Sequence, residues 1–183
     1  KTYKFLLKME IEYEATFLNI NKEKVRNKLK EVGAKLSKSE FLQKRVNFDP
    51  PKEIKGGWVR VRDESDKITM SLKIITGDKI EDQKECCIQV NDFNEAEKLL
   101  INLGCEKKAY QETKRELWIL DNVEITIDEW PFLEPFIEVE GKSEAEVKTV
   151  SEKLGFDYNE AYFGGVTDLY ARKYKLSHFK INN

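Results

Sequence analysis

Polar and hydrophobic residues alternate along most of this chain, and three stretches between the alternating segments follow a helical period instead. In these stretches apolar residues recur every three or four positions, as in a helix that packs one face against a protein core. A glycine follows each stretch, where helices commonly end, and Ser143 with Glu146 forms a capping box before the third. The pattern predicts helices over about residues 22–32, 94–103 and 143–154.

The alternating segments predict about eight β-strands, because successive side chains of a strand point to opposite faces of a sheet. Residues 63–66 and 121–122 are typical of hairpin turns, and the paired prolines and glycines between 50 and 57 predict a longer connection. The predicted strands are residues 10–17, 41–48, 58–62, 68–75, 84–90, 113–120, 123–128 and 136–140.

Several of the predicted strand faces carry charges of a single sign. Like charges on one strand face repel, so such a face stabilises the fold only if opposite charges lie across from it. Three helices with apolar stripes need the apolar strand faces, which leaves the charged faces together on the other side. The pairs are Glu12 with Glu14, Glu138 with Glu140, and Arg60 with Arg62.

We therefore predict an α+β fold, a closed or nearly closed eight-stranded antiparallel β-barrel with helices packed outside and a charged tunnel inside. The alternative is an open sheet with a solvated, salt-bridged polar face. A charged interior has to hold water or a ligand, since burying an isolated charge costs on the order of tens of kcal/mol. Paired carboxylates suit hard cations, and arginine and lysine suit phosphate oxygens. A polyphosphate with Mg²⁺ or Mn²⁺ would satisfy both.

Composition agrees with one domain and narrows the partners. The chain has 183 residues, of which 40% are hydrophobic and 36% are charged, enough for one packed domain, which we place at residues 9–175. Residues 1–8 are interpreted as a tag or an N-terminal extension. With 34 acidic against 32 basic residues, non-specific nucleic-acid binding is not expected. No apolar run approaches the roughly 20 residues that span a bilayer, so no membrane association is expected.

Cysteine and histidine usage excludes several chemistries. Cys86, Cys87 and Cys105 contain no CxxC spacing, and we expect them to be reduced, buried residues of a cytoplasmic protein. The only histidine is His178, so a Ser/His/Asp or Cys/His nucleophilic system is not expected. Any metal would be bound by oxygen ligands, as Mg²⁺ and Mn²⁺ are. The chain also has no P-loop motif.

The segment Glu12-Tyr13-Glu14-Ala15-Thr16 resembles the ExExK strand of the CYTH family, the triphosphate tunnel metalloenzymes. That family includes class IV adenylate cyclases, thiamine triphosphatases and inorganic tripolyphosphatases. Both glutamates are present, but Thr16 stands where the family has lysine. Further segments resemble the family's strands in the expected order, and they are residues 41–49, 58–62, 71–73, 84–85, 114–116, 127–129 and 136–141.

The resemblance implies a role for each matched residue. One or two divalent ions, Mg²⁺ or Mn²⁺, would be held by Glu12, Glu14, Asp128, Glu138 and Glu140. The triphosphate would be clamped by Arg60, Arg62, Lys73 and Arg115, with Arg45 as an addition and Glu85 orienting a clamp residue or helping with metal. The catalytic set would be Glu12, Glu14, Arg60, Arg62 and Lys73. The alternative for each of these charges is a salt bridge inside the barrel.

The resemblance implies a metal-dependent phosphohydrolase acting on a linear triphosphate, and we find no evident nucleobase pocket in the sequence. A class IV adenylate cyclase, making cyclic AMP and pyrophosphate from ATP, is the enzymatic alternative. Because Thr16 replaces the lysine, a non-catalytic polyphosphate or nucleotide binder is a third. Lys44 and Lys114 do not compensate, since alternation puts both on the outer face. The expected partner is a small molecule with a triphosphate, and the expected assembly is a monomer or homodimer. Aromatic residues after position 157 predict a C-terminal helix packed on the barrel.

Overall fold

The computed structural model describes residues 9–175, and its nine strands form one antiparallel sheet. The tag or extension interpreted at residues 1–8 and the single histidine, His178, lie outside the described residues. The strands are β1 Glu10–Ile11, β2 Tyr13–Phe17, β3 Lys35–Asp49, β4 Gly57–Asp63, β5 Ile68–Ile75, β6 Gln83–Val90, β7 Glu106–Leu120, β8 Val123–Glu129 and β9 Phe136–Gly141.

The sheet is a nearly closed barrel, as the sequence predicts. The strand order is β1-β6-β5-β4-β3-β7-β8-β9-β2, with every neighbouring pair antiparallel. The two strands at the ends of this order, β1 and β2, are separated in the chain only by Glu12, whose N–H donates to the carbonyl of Gln83 at 3.0 Å. The predicted first strand is thus split at Glu12, so the sheet has nine strands where the sequence predicts eight. Its two halves join opposite ends of the sheet.

Four α-helices lie among the described residues, three of them within a residue or two of their predicted bounds. Each of these three begins after a capping residue, Asn21, Asp92 or Ser143, whose side chain accepts a hydrogen bond from a backbone N–H of the first turn. The fourth holds the C-terminal aromatic residues Tyr170 and Tyr174, which confirms the predicted C-terminal helix. The helices are α1 Lys22–Glu31, α2 Phe93–Asn102, α3 Glu144–Lys153 and α4 Val166–Tyr174.

The hydrophobic core lies between the outer face of the barrel and the helices. Val59 and Val61 of β4 pack in one cluster with Ala96 and Leu100 of α2. A larger cluster joins α1 and α3 to the outer faces of β2, β7, β8 and β9. Because side chains alternate along each strand, this placement turns the intervening polar residues into the barrel. The core is therefore outside the barrel and the charge is inside.

The prediction that all three cysteines are buried is wrong for two of them. Cys105 is buried in the cluster beneath α2, but Cys86 and Cys87 are exposed. Both lie on β6, where residues 86–89 are exposed, whereas α2 packs mainly on β4. All three thiols are free.

Among residues 9–175, no helix has the length and apolar character needed to cross a bilayer.

Candidate active site in the barrel interior

Three glutamates converge where the two halves of the first strand meet. Glu14 on β2 lies opposite Glu140 on β9 in the antiparallel register, and Glu12 occupies the break between β1 and β2. Each of the three offers a carboxylate oxygen, and these oxygens lie within 4.8 Å of one another. Three carboxylates this close form an acidic cluster that needs a cation or protons to neutralise it.

The acidic cluster binds protons more tightly than ordinary carboxylates do. Burial, together with the charge of Glu14, raises the pKa of Glu12 to about 8. Burial and the charge of Glu14 likewise raise the pKa of Glu140 to about 7. The pKa of Glu14 is also raised, mainly by burial, although Lys73 opposes the shift. The three negative charges therefore cannot all be held at neutral pH without a compensating cation.

Lys73 supplies one such cation from across the interior. Its Nζ lies 2.6 Å from Oε2 of Glu12 and 3.2 Å from Oε1 of Glu14. Strands β5 and β2, which carry Lys73 and Glu14, are not neighbours in the sheet, so this ion pair spans the inside of the barrel. Burial lowers the pKa of Lys73, but the two glutamates more than offset this and raise it above its usual value. The lysine therefore stays charged.

Arg60 forms the next ion pair along the interior. Its Nη2 donates to Oε1 of Glu85 at 2.9 Å and its Nε to the hydroxyl of Ser71 at 3.1 Å. Burial acts to raise the pKa of Glu85, but Arg60, a hydrogen bond with Ser71 and the charge of Lys73 together lower it to about 2. Glu85 is thus ionised at any physiological pH and fixes the guanidinium of Arg60. This geometry supports the orienting role that the family resemblance implies for Glu85.

Arg115 holds the two remaining predicted metal ligands. Its Nε donates to Oδ1 of Asp128 at 2.8 Å, and its Nη2 to Oε2 of Glu138 at 2.6 Å. The hydroxyl of Thr126 donates to the other oxygen of Asp128 at 2.7 Å. The five predicted metal ligands thus fall into two groups, the acidic cluster and a pair bound to Arg115. Glu14 adjoins both, because the charges of Glu138 and Arg115 affect its pKa.

Arg62 is held by a residue that the sequence analysis treats only as part of a turn. Its Nε lies 2.7 Å from Oε1 of Glu64, which also pairs with Lys67 at 3.5 Å. Glu64 is 8% exposed although it lies in the β4–β5 turn. Glu64 follows Arg62 by two residues, which is the spacing of one strand face, but residues 63–66 are typical of a solvated hairpin turn, so the sequence analysis does not place Glu64 inside.

Arg45 is buried without a carboxylate partner among the described residues. Its Nη2 donates to the hydroxyl of Thr113 at 2.9 Å and to the amide oxygen of Gln43, and its guanidinium lies 4.4 Å from the ring centroid of Trp130. Burial lowers the pKa of Arg45 well below its usual value, and the charge of Arg60 adds to the effect. Gln43 and Thr113 could have been found from strand alternation, because they share a parity with Arg45 and Arg115. Trp130, which follows a strand, could not.

A cavity of about 480 Å³ adjoins this end of the interior. Arg45 and Arg60 line it on one side, and the rings of Trp58 and Trp130 and the segment 165–168 before and within α4 line the others. The sequence analysis does not predict this cavity. The two tryptophans are far apart in the chain, so no local motif reveals the pocket.

The structure thus brings the predicted clamp and ligand residues into one interior, together with Glu64, Gln43, Thr113 and Trp130. Lys44 and Lys114 are exposed on the outer face, as alternation predicts. Thr16 is buried, lies opposite Glu138 in the register, and exchanges backbone hydrogen bonds with Tyr162.

A hard divalent cation fits the acidic cluster. The donors are carboxylate oxygens only, which Mg²⁺ and Mn²⁺ prefer, and the raised pKa values show that negative charge is in excess there. The ammonium of Lys73 already neutralises part of this charge and lies on one side of the cluster.

A nearly closed antiparallel barrel with outer helices and opposed carboxylate and basic clusters inside defines a tunnel protein. The chain belongs to the CYTH family, whose domain model matches residues 9–169. Comparison with curated proteins finds no significant sequence match.

Solved structures share the fold at low sequence identity. PH1012 protein from Pyrococcus horikoshii OT3 is 23% identical, with a TM-score of 0.68 over 82% of this chain and 93% of that one. A candidate adenylate cyclase from Vibrio parahaemolyticus is 12% identical, with a TM-score of 0.75 over 90% and 99%. HpAC1 from Hippeastrum, described as a candidate adenylyl cyclase with a dominant triphosphatase activity, is 14% identical, with a TM-score of 0.58 over 92% and 100%.

Proposed function

We propose that this protein is a divalent-metal-dependent phosphohydrolase that acts on a linear triphosphate, inorganic or organic, bound inside the barrel. The observation that carries the proposal is the arrangement of the interior. The acidic cluster lies on one side, and four basic side chains reach in from strands β4, β5 and β7, namely Arg60, Arg62, Lys73 and Arg115. Such a basic set matches the negative charges of a triphosphate chain.

In this proposal the acidic cluster, Glu12, Glu14 and Glu140, would hold the cation. When bound, a divalent cation neutralises phosphate charge as the terminal bond breaks. Asp128 and Glu138 would serve mainly to fix Arg115, because both already bond to its guanidinium.

The remaining chemistry belongs to the basic residues. Arg60 and Arg115 are each immobilised by carboxylates, so their free N–H groups are pre-positioned for phosphate oxygens and lose little entropy on binding. The oxygen of a water molecule bonds to the terminal phosphorus, the bond from that phosphorus to the bridging oxygen breaks, and the proton of the water passes to solvent. The products are orthophosphate and the shortened phosphate chain. Catalysis then comes from positioning and charge neutralisation, as in other phosphoryl transfers.

A class IV adenylate cyclase is the second candidate, and the cavity beside Arg60 favours it. Its volume of about 480 Å³ and its two tryptophans leave room for an organic group next to the phosphate site. A cyclase would direct the ribose 3′-hydroxyl at the α-phosphorus and release pyrophosphate. The description of HpAC1, which joins the two activities in one barrel of this fold, supports keeping both candidates.

The test is to incubate the protein with tripolyphosphate or ATP and with Mg²⁺ or Mn²⁺, and to measure orthophosphate, pyrophosphate and cyclic AMP. We expect orthophosphate from both substrates, and a loss of turnover on the order of a hundredfold in Arg115→Ala. Lys114→Ala is the matched control, because its exposed side chain lies next in the same strand on the outer face. Cyclic AMP with pyrophosphate would establish the cyclase instead. Tight binding without any turnover would establish the non-catalytic binder.

A further inference from the structure

Two buried N–H groups without a hydrogen-bond partner belong to side chains that line the cavity beside Arg60. They are Nε of Arg45 and Nε1 of Trp130, and both residues line the cavity. Arg45 is 4% exposed and Trp130 is 6% exposed, so neither group is accounted for by bulk solvent. A buried donor without a hydrogen-bond partner destabilises the fold. Its presence in a native structure is explained where a bound ligand supplies the missing acceptor.

The hydrogen bonds of Arg45 with other described residues go to neutral acceptors. The guanidinium of Arg45 has used the hydroxyl of Thr113 and the amide oxygen of Gln43, and the amide nitrogen of Gln43 is a third buried donor without a partner. Among the described residues, no carboxylate forms an ion pair with Arg45. The face of the Trp130 ring lies against its positive charge instead.

The indole of Trp130 is itself held in place from the C-terminal helix. Tyr170 of α4 is fully buried and packs edge-on against Trp130 at 6.5 Å between ring centroids. The Tyr170 hydroxyl donates to the carbonyl of Pro131, next to Trp130 in the chain. The ring has a fixed orientation, so its N–H and the guanidinium of Arg45 are presented together.

We propose that Trp130 is a substrate-contacting residue of this site, whose indole N–H, with the Nε–H of Arg45, binds oxygen atoms of the phosphate chain at the cavity wall. The ring also fixes the position of the Arg45 guanidinium, as carboxylates do for Arg60 and Arg115. A carboxylate there would compete with the phosphate for the same N–H groups, whereas a ring face leaves them free. This inference rests on the proposed function, because it takes the ligand to be a polyphosphate.

The first experiment measures affinity for the non-hydrolysable imido analogue of tripolyphosphate, by calorimetry in the presence of Mg²⁺. Trp130→Phe keeps an aromatic ring under Arg45 but removes the N–H, and we expect binding to weaken roughly tenfold. Trp130→Leu removes both, and binding should weaken roughly fivefold further. The matched control is Trp118→Phe, which removes the N–H of an equally buried indole (4% exposed) that donates to Glu116 in the outer core.

The outcomes separate this inference from the proposed function. If Arg60→Ala loses binding while Trp130→Phe binds as wild type does, the Trp130 contact is wrong and the phosphate site stands. If Trp130→Phe and Trp118→Phe weaken binding equally, the effect is structural and the contact is again wrong. If wild-type protein does not bind the analogue at all, the proposed function falls and the contact with it.

A second measurement needs no variant of uncertain stability. The chain has three tryptophans, so its indole N–H groups give three resonances in an NMR spectrum of ¹⁵N-labelled protein. On titration with the analogue, the Trp130 resonance should shift downfield as the N–H meets an anion, and the Trp118 resonance should not move. An unmoved Trp130 resonance at saturation would overturn the proposal.

Discussion

Single residues of the barrel interior are held by partners far away in the chain. Lys73 bonds to Glu12 and Glu14, about sixty residues earlier, and Arg60 bonds to Glu85, two strands later. Strand alternation is enough to predict that such residues face inward. It does not predict which ones pair, because pairing depends on the register and curvature of strands that do not adjoin in the sequence.

The Lys73 ion pairs allow a direct prediction about stability. In metal-free protein at pH 8, Lys73→Ala should lower the free energy of unfolding by about 3 kcal/mol, because it leaves the acidic cluster without its cation. Chemical denaturation followed by circular dichroism measures this. Mg²⁺ should recover more of the loss in the variant than it adds to wild type, since the ion replaces the missing charge. Lys44→Ala, on the exposed outer face, is the control, and an equal effect of both changes would contradict the prediction.

At the scale of whole elements, a second set of ion pairs joins helix α1 to strand β7 outside the barrel. Arg26 of α1 donates to Glu116 through Nε at 3.0 Å and through Nη2 at 2.7 Å, and Trp118 Nε1 donates to the same carboxylate at 2.6 Å. Glu116 is 5% exposed, and its neighbour Arg115 points the opposite way, into the barrel. One strand thus carries a structural carboxylate and a candidate catalytic guanidinium on alternate faces.

Glu116→Ala should therefore separate stability from function. We expect the free energy of unfolding to fall by about 3 kcal/mol, since the change leaves Arg26 and the Trp118 N–H without an acceptor. Affinity for the tripolyphosphate analogue should stay unchanged at temperatures where the variant is folded. Lys153→Ala, which breaks the exposed pair with Asp121, should cost at most about 1 kcal/mol. A large loss of ligand affinity in Glu116→Ala would show that the two faces of β7 are not independent.

For the molecule as a whole, sequence patterns predict the architecture well and the details of the interior less well. Alternation and apolar periodicity predict the strands, the helices and the position of the charged residues inside the barrel, because these features follow from local geometry. The break at Glu12, the burial of Glu64 and the contact of Trp130 with Arg45 are not predicted. Each arises where the barrel closes or turns, and there the tertiary structure overrides the local pattern.

The protonation of the interior is also a property of the whole molecule, and it predicts how stability varies with pH. The pKa values of Glu12 and Glu140, about 8 and about 7, lie above the 4.5 of an unfolded glutamate. Between pH 4.5 and 8 the unfolded chain therefore binds fewer protons than the folded one, and the free energy of unfolding of metal-free protein should fall as pH rises. Urea unfolding at pH 5, 6, 7 and 8 in the presence of a chelator tests this.

The double variant Glu12→Gln/Glu140→Gln should flatten that dependence, because neither side chain titrates. Glu85 gives the free energy of unfolding the opposite dependence on pH, in a lower pH range. Its pKa of about 2 stabilises the fold above pH 4.5, and this stabilisation is lost as the pH falls towards 2. Stability of the wild-type protein that rises steadily from pH 5 to 8 would contradict the assignment of raised pKa values to the acidic cluster.

The split of the first strand at Glu12 has a consequence for how the chain folds during translation. Residues 10–17 are synthesised before their partner strands, because β1 pairs with β6 and β2 pairs with β9, which ends at Gly141. Strand β2, which ends at Phe17, must therefore wait for more than a hundred further residues before it can pair with β9. Contacts of such long range slow folding. The segment 10–17 carries two of the three clustered glutamates, so a nascent chain does not assemble the acidic cluster until β9, which carries Glu140, has been synthesised.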